Sequence, residues 1–160
     1  MSSSTLPKTP VENWEQVRDE WVAAVDKLLQ DAEAWSKKQD WATRRDPKTV
    51  NEEEIGEYTV PRLLIHSIDG RLLLDPLTPF AGGGARGVVE FCVMPSYDWV
   101  RIIRDQDGWK ILPEARSDEL RPLTEASFVE TARQLLTRKR SNARNALSEF
   151  GASSASTWQL

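Results

Sequence analysis

The chain has one cysteine and one histidine among its 160 residues. With Cys92 alone, no internal disulfide can form, and a reducing, cytoplasmic setting is the expectation. One histidine and one cysteine cannot make a His/Cys zinc site, so neither metal nor cofactor is expected. The opening "MSSSTLPKTP" lacks the apolar core of a secretory signal. No apolar run approaches a membrane span, so no membrane association is expected. Net charge is −4 with a pI near 5.2, which gives no general basic surface. Nucleic acid therefore ranks last among possible partners. The chain contains neither G-x-S-x-G nor G-x-x-x-x-G-K-[ST]. That removes the nucleophile elbow and the P-loop.

What is present reads as one globular unit, with 39 % hydrophobic and 29 % charged residues. Residues 1–11 are rich in Ser, Thr and Pro and are expected to form a flexible arm. Residues 12–150 read as a single α+β domain, and 151–160 as a small-residue, flexible tail.

A long N-terminal helix is expected from Asn13, an N-cap residue type, to Gln39–Trp41. Trp14, Val17, Trp21, Val25, Leu28, Ala32 and Trp35 recur at spacings of 3, 4, 4, 3, 4 and 3, one continuous apolar stripe. Arg44–Glu57 reads as a charged connection. An antiparallel meander of four to five strands follows, with hairpins at Asp69-Gly70 and Asp107-Gly108. A C-terminal helix starts at Thr124, and both helices are expected on one face of the curved sheet.

Four of the eight glycines fall in Gly82–Gly87. "GGGARG" satisfies G-x-G-x-x-G by letters. A dinucleotide site needs a helix after the glycines, and Val88–Phe91 read as a strand. The same six residues resemble the oxyanion-hole motif of the patatin-like lipase family. That family also needs a serine in G-x-S-x-G, which this chain lacks. A loop between strands is what remains.

The weak catalytic candidates are His66 and Asp75. With Asp69-Gly70 as a two-residue turn, Ile68 pairs with Arg71, His66 with Leu73 and Leu64 with Asp75. Leu63, Ile65, Leu72 and Leu74 then share an apolar face, and His66 and Asp75 form a diagonal pair on the other. No nucleophile accompanies them. The acidic run Glu52, Glu53, Glu54 and Glu57 lacks the spacing and glycine of a calcium loop. Cys92, inside "VEFCVM", reads as a small core residue.

Seven tryptophans are the compositional oddity. Trp14, Trp21 and Trp35 share one helix face, suited to packing on the sheet or to a partner. The first helix carries seven acids and two bases between Glu12 and Glu33. The last is basic at Arg138, Arg140 and Arg144. The resulting reading is a non-catalytic protein–protein interaction module, an adaptor or a subunit of a larger assembly, contacting a protein partner or a second copy. The alternative is a small-ligand pocket between the curved sheet and a helix, lined by Tyr97, Asp98, Trp99 and Arg101. "DGWKIL" resembles a strand ending of the cone-shaped nuclear transport factor 2 fold, which would imply such a pocket.

Overall fold

A computed structural model describes residues 13–80, 86–112 and 119–138. The expected arm, the tail, Gly82–Gly84, Arg140 and Arg144 lie outside the described residues.

Helix α1 (Trp14–Lys38) is capped at both ends by its own sequence. The Asn13 side chain accepts a hydrogen bond from the Gln16 N–H at 3.0 Å, satisfying one orphan donor of the first turn. At the other end Asp40 turns left-handed (φ 63). The Asp40 and Trp41 N–H groups donate to the Lys37 and Ser36 carbonyls, both at 3.0 Å, a Schellman closure. A second helix, α2 (residues 125–138), starts as expected after Thr124. The Ser127 N–H donates to Thr124 Oγ1 and the Thr124 N–H to Ser127 Oγ, at 3.1 and 2.8 Å. This is a capping box with serine in the reaching-back position.

Between the helices runs a meander of seven antiparallel strands in sequential order. They are β1 (Ala42–Glu52), β2 (Gly56–Ser67), β3 (Gly70–Thr78), β4 (Gly87–Met94), β5 (Trp99–Asp105), β6 (Gly108–Leu112) and β7 (Arg121–Pro122). The fold is the expected α+β, with more strands. The charged stretch expected as a connection holds most of β1. It is an edge strand, so one side of it is solvated and its apolar alternation is weak.

Both expected hairpins form, and the register of the first differs from the expectation. Ser67 pairs with Gly70, His66 with Arg71 and Leu64 with Leu73, so Ile68 and Asp69 form the turn. Asp105 likewise pairs with Gly108. The residue before each turn sets this register. Ser67 Oγ accepts from the Asp69 N–H at 3.1 Å, and Asp105 Oδ1 from the Asp107 N–H at 2.8 Å. These side-chain turns fold the chain one residue earlier than a turn centred on Asp-Gly.

One face of the sheet is covered. Trp21, Val25, Leu28, Leu29 and Ala32 of α1 and Phe128, Ala132 and Leu135 of α2 join Leu63, Ile65, Leu72, Leu74, Val89, Phe91, Val93, Val100, Ile102 and Ile111 in one core. The Phe91 and Phe128 rings stack at 5.1 Å, and Trp35 leans on Phe128 at 5.3 Å. Trp21 meets Trp109 at 6.1 Å.

The β1–β2 hairpin changes its buried face midway. Leu63 and Ile65 are buried at odd positions, Tyr58 and Val60 at even ones. The switch falls where Pro47 sits opposite Pro61 in the ladder. Neither proline can donate, so the ladder is weakest there and the strands can turn their other face inward.

Gly87, the last glycine of the motif, has a packing reason. Its φ is +156, and a Cβ there would lie 2.1 Å from Trp21 Cζ3. Gly87→Ala is expected to destabilise the fold by about 2–4 kcal/mol, because a buried indole in a filled core cannot retreat. Urea denaturation measures it. A loss under about 0.5 kcal/mol would contradict the packing described.

Candidate functional site

The unused face of the sheet is the feature with the most chemistry. Alternation along β5 buries Val100 and Ile102 under the helices and turns Trp99 and Arg101 to the opposite face. The register then aligns one row across four strands. Leu64 lies opposite Leu73, Leu73 opposite Cys92, and Cys92 opposite Trp99. Leu73 and Cys92 are buried, with 6 % and 3 % exposure, while Trp99 is 38 % exposed.

Charges flank this row unequally. On one side the anions are neutralised: Lys48 Nζ donates to Asp75 Oδ1 at 2.7 Å, Arg62 meets Asp46 at 2.6 Å, and Arg101 reaches Glu90 at 4.0 Å. Arg101 also lies over the Trp99 ring at 4.8 Å, a cation–π contact. On the other side His66 lies opposite Arg71, while Arg44 ends the row itself on β1, opposite Leu64. All three are exposed, and neither Arg44 nor Arg71 has an ion-pair partner among the described residues.

Each sequence-predicted site residue has a definite place. The corrected register separates His66 from Asp75: His66 faces Arg71, while Asp75 lies four positions along β3, bound to Lys48. The diagonal pair expected for general-base chemistry does not form. Trp21 is 1 % exposed and Trp35 half-buried on Phe128, so both serve the core. Trp14 is half-buried and meets Phe80 edge-on at 5.9 Å. Arg138 ends the described part of α2. Tyr97 is left-handed (φ 62) and 57 % exposed, in the turn before Trp99. Tyr97, Trp99 and Arg101 therefore do not line a space beneath a helix, because that space is filled by core side chains; Asp98 lies in the same turn, its carbonyl accepting from the Val93 N–H at 2.9 Å.

A cleft does exist elsewhere. It is open, about 660 Å³, and lies between α1 and β2, lined by Arg18, Asp19, Val22, Tyr58, Thr59 and Pro61. Behind it Tyr58 donates to Glu52 at 2.5 Å, and Thr78 Oγ1 donates to the other Glu52 oxygen at 2.7 Å. Burial, reinforced by the Glu52 carboxylate, raises the Tyr58 phenol well above its ordinary value, opposed only by the neighbouring Trp21 indole. That indole N–H still lacks a partner at hydrogen-bond geometry among the described residues, as does Ser36 Oγ. On the open face, burial pushes the Cys92 thiol up to about 12, helped by the charges of Glu90 and Asp75. A thiol so held is protonated and inert, as expected of a packing residue. Among the described residues no group of three His, Cys, Asp or Glu side chains is placed to hold a metal ion. No described helix is long and apolar enough to cross a membrane.

Sequence reasoning missed this second apolar row, although the strands carry its signal. Leu63-Leu64-Ile65, Leu72-Leu73-Leu74 and Phe91-Cys92-Val93 are apolar on consecutive positions, hence on both faces. Strands of that kind are usually contacted from both sides.

Tyr58 and Cys92 hold their protons more tightly folded than unfolded. Their contribution is whole below the ordinary values of 10.0 for Tyr58 and 9.0 for Cys92 and is lost as pH rises beyond them. Stability is expected to fall between about pH 9 and 12, and less steeply in Tyr58→Phe with Cys92→Ala. Urea titrations across that range check it; parallel slopes for both proteins would contradict the assignment.

No protein-family model, no curated protein and no solved structure matches this chain.

Proposed function

We propose that the protein is a non-catalytic interaction module, an adaptor or subunit of a larger cytoplasmic assembly, and that the open face of its sheet is the contact surface. The observation that carries this reading is the exposed aromatic end of the row Leu64–Leu73–Cys92–Trp99, on a face that neither described helix covers. Central strands with apolar residues on both faces gain stability when the second face is also contacted. Trp99 ends that row and Tyr97 stands beside it, both with exposed rings. Exposed aromatics of this kind anchor protein interfaces.

The face suits contact better than the edge does. β1 carries Pro47 in its middle and charged residues along its length, a pattern that discourages strand addition. The alternative, a small-ligand site, has its support in the α1–β2 cleft with Arg18 and Tyr58, not in Tyr97–Arg101.

Trp99→Ser combined with Leu64→Ser is expected to leave the protein folded and to abolish recovery of its bound protein from the native host. Arg18→Ala with Asp19→Ala should leave that recovery intact. The comparison is made by quantitative mass spectrometry of affinity-purified material. Undiminished recovery with the face variant contradicts the reading. A small-molecule thermal shift that disappears in the Arg18 variant favours the cleft instead.

A further inference from the structure

The β2–β3 ladder stops short. It runs from Ser67 and Gly70 to Leu63 and Leu74, while β3 goes on to Thr78, paired with β4 on its other side. Carried two steps further, the same register would set Pro61 opposite Pro76, two residues with no N–H to give a ladder. β2 meanwhile stays with β1 without a break as far as Glu52 and Gly56. The far half of that hairpin, Lys48–Val60, therefore leaves the sheet as a two-stranded arm, with Pro47, Pro61 and Pro76 at its root. From this we infer that Lys48–Val60 is a hinged flap, which lifts from β3 as a unit and sets the width of the cleft between α1 and β2. The inference does not depend on what the protein contacts through its sheet.

Where backbone pairing ends, side chains hold the flap to β3. Lys48 Nζ donates to the Pro76 carbonyl and to Asp75 Oδ1, both at 2.7 Å. Thr78 Oγ1 donates to Glu52, which closes the hairpin tip with Gly56, at 2.7 Å. These are the hydrogen bonds between flap and β3 among the described residues, and each uses a charged group of the flap. Lys48 and Asp75 keep 25 % and 22 % exposure, so water and salt compete for their tie. Apolar feet complete the docking: Tyr58 and Val60 are buried, and Val50 and Ile55 pack against the same core. They make the docked position the resting one.

The other side of the flap is free to move. Glu57, Thr59 and Pro61 form one wall of the α1–β2 cleft, and Arg18, Val22 and Ala23 form the other, with about 660 Å³ open between them. No hydrogen bond joins Glu57, Thr59 or Pro61 to α1 among the described residues. The root, by contrast, is pinned. Arg45, two residues before Pro47, is held by Asp26 and Glu33 of α1. A strand fixed at one end, broken by prolines and tied beyond them by side chains bends at the prolines.

Hydrogen exchange of the full chain, followed amide by amide by NMR at neutral pH, tests this. A two-stranded hairpin away from its sheet is marginal in water, so its ladder amides exchange each time it lifts. Amides bonded within the β1–β2 ladder are expected to exchange at least about tenfold faster on the flap side of Pro47 and Pro61 than on the root side. Lys48→Met with Thr78→Val removes both ties and keeps much of the side-chain bulk. It should speed the flap amides about tenfold more and leave the root-side amides and β4 unchanged. Lys48→Met alone, read in the same way if the double variant melts early, should show the same pattern at smaller amplitude. Added salt should speed the flap amides of the unaltered protein and act less on the Lys48 variants. Equal protection on both sides of the prolines overturns the inference. So does a double variant that leaves the flap amides unchanged, or one that speeds β4 as much as the flap.

Discussion

The packing of Trp21 is the contact on which the architecture depends. Its indole lies against the backbone of Gly87 at the start of β4, against Trp109 of β6 and beside Tyr58 of β2. One side chain of α1 therefore ties together strands from the middle and both halves of the sheet. Burying an aromatic of this size removes roughly 150–250 Å² from water, the largest single gain a side chain can make. The approach is possible only because residue 87 has no Cβ.

Once α1 is fixed there, much else follows. Its stripe seals one end of the core, and Trp35 carries the seal to Phe128 of α2, which stacks on Phe91. On its flank Asp26 and Glu33 hold Arg45, which faces α1 from β1 and anchors the edge strand. The Asp26 carboxyl is held below its ordinary range by that guanidinium. Both helices are thus committed to one face, and the opposite face is left to Leu64, Leu73, Cys92 and Trp99. The asymmetry that makes a contact surface is a consequence of how the core is closed.

Much of this could be read from the sequence, for local reasons. Asn13 and Thr124 mark helix starts because their side chains satisfy backbone N–H groups within three residues. The apolar stripe of α1 reports its buried face because helical periodicity is short-range. What failed depended on partners distant in sequence or on competing local bonds. β1 looked like a connection because its support comes from β2 and from α1. The first hairpin slipped because Ser67 captures the turn before Asp-Gly can centre it. β7, two residues long, has no periodicity to detect. The contact face was half-visible: leucine runs announce strands apolar on both sides, but only the fold tells which side the helices take. Of the three α1 tryptophans, suited by their spacing to the sheet or to a partner, two pack on the core, and it is Trp99 that is exposed.

The contrast between Trp21 and Trp99 is therefore the most direct measure of the account. Hydroxyl-radical footprinting of the isolated full chain, read by mass spectrometry, compares them in one experiment. Rapid oxidation of Trp99 and Tyr97, with Trp21 protected until the protein unfolds, is the predicted result. Trp99 protected as fully as Trp21 in the native protein would mean that the second face is already covered, and would contradict it.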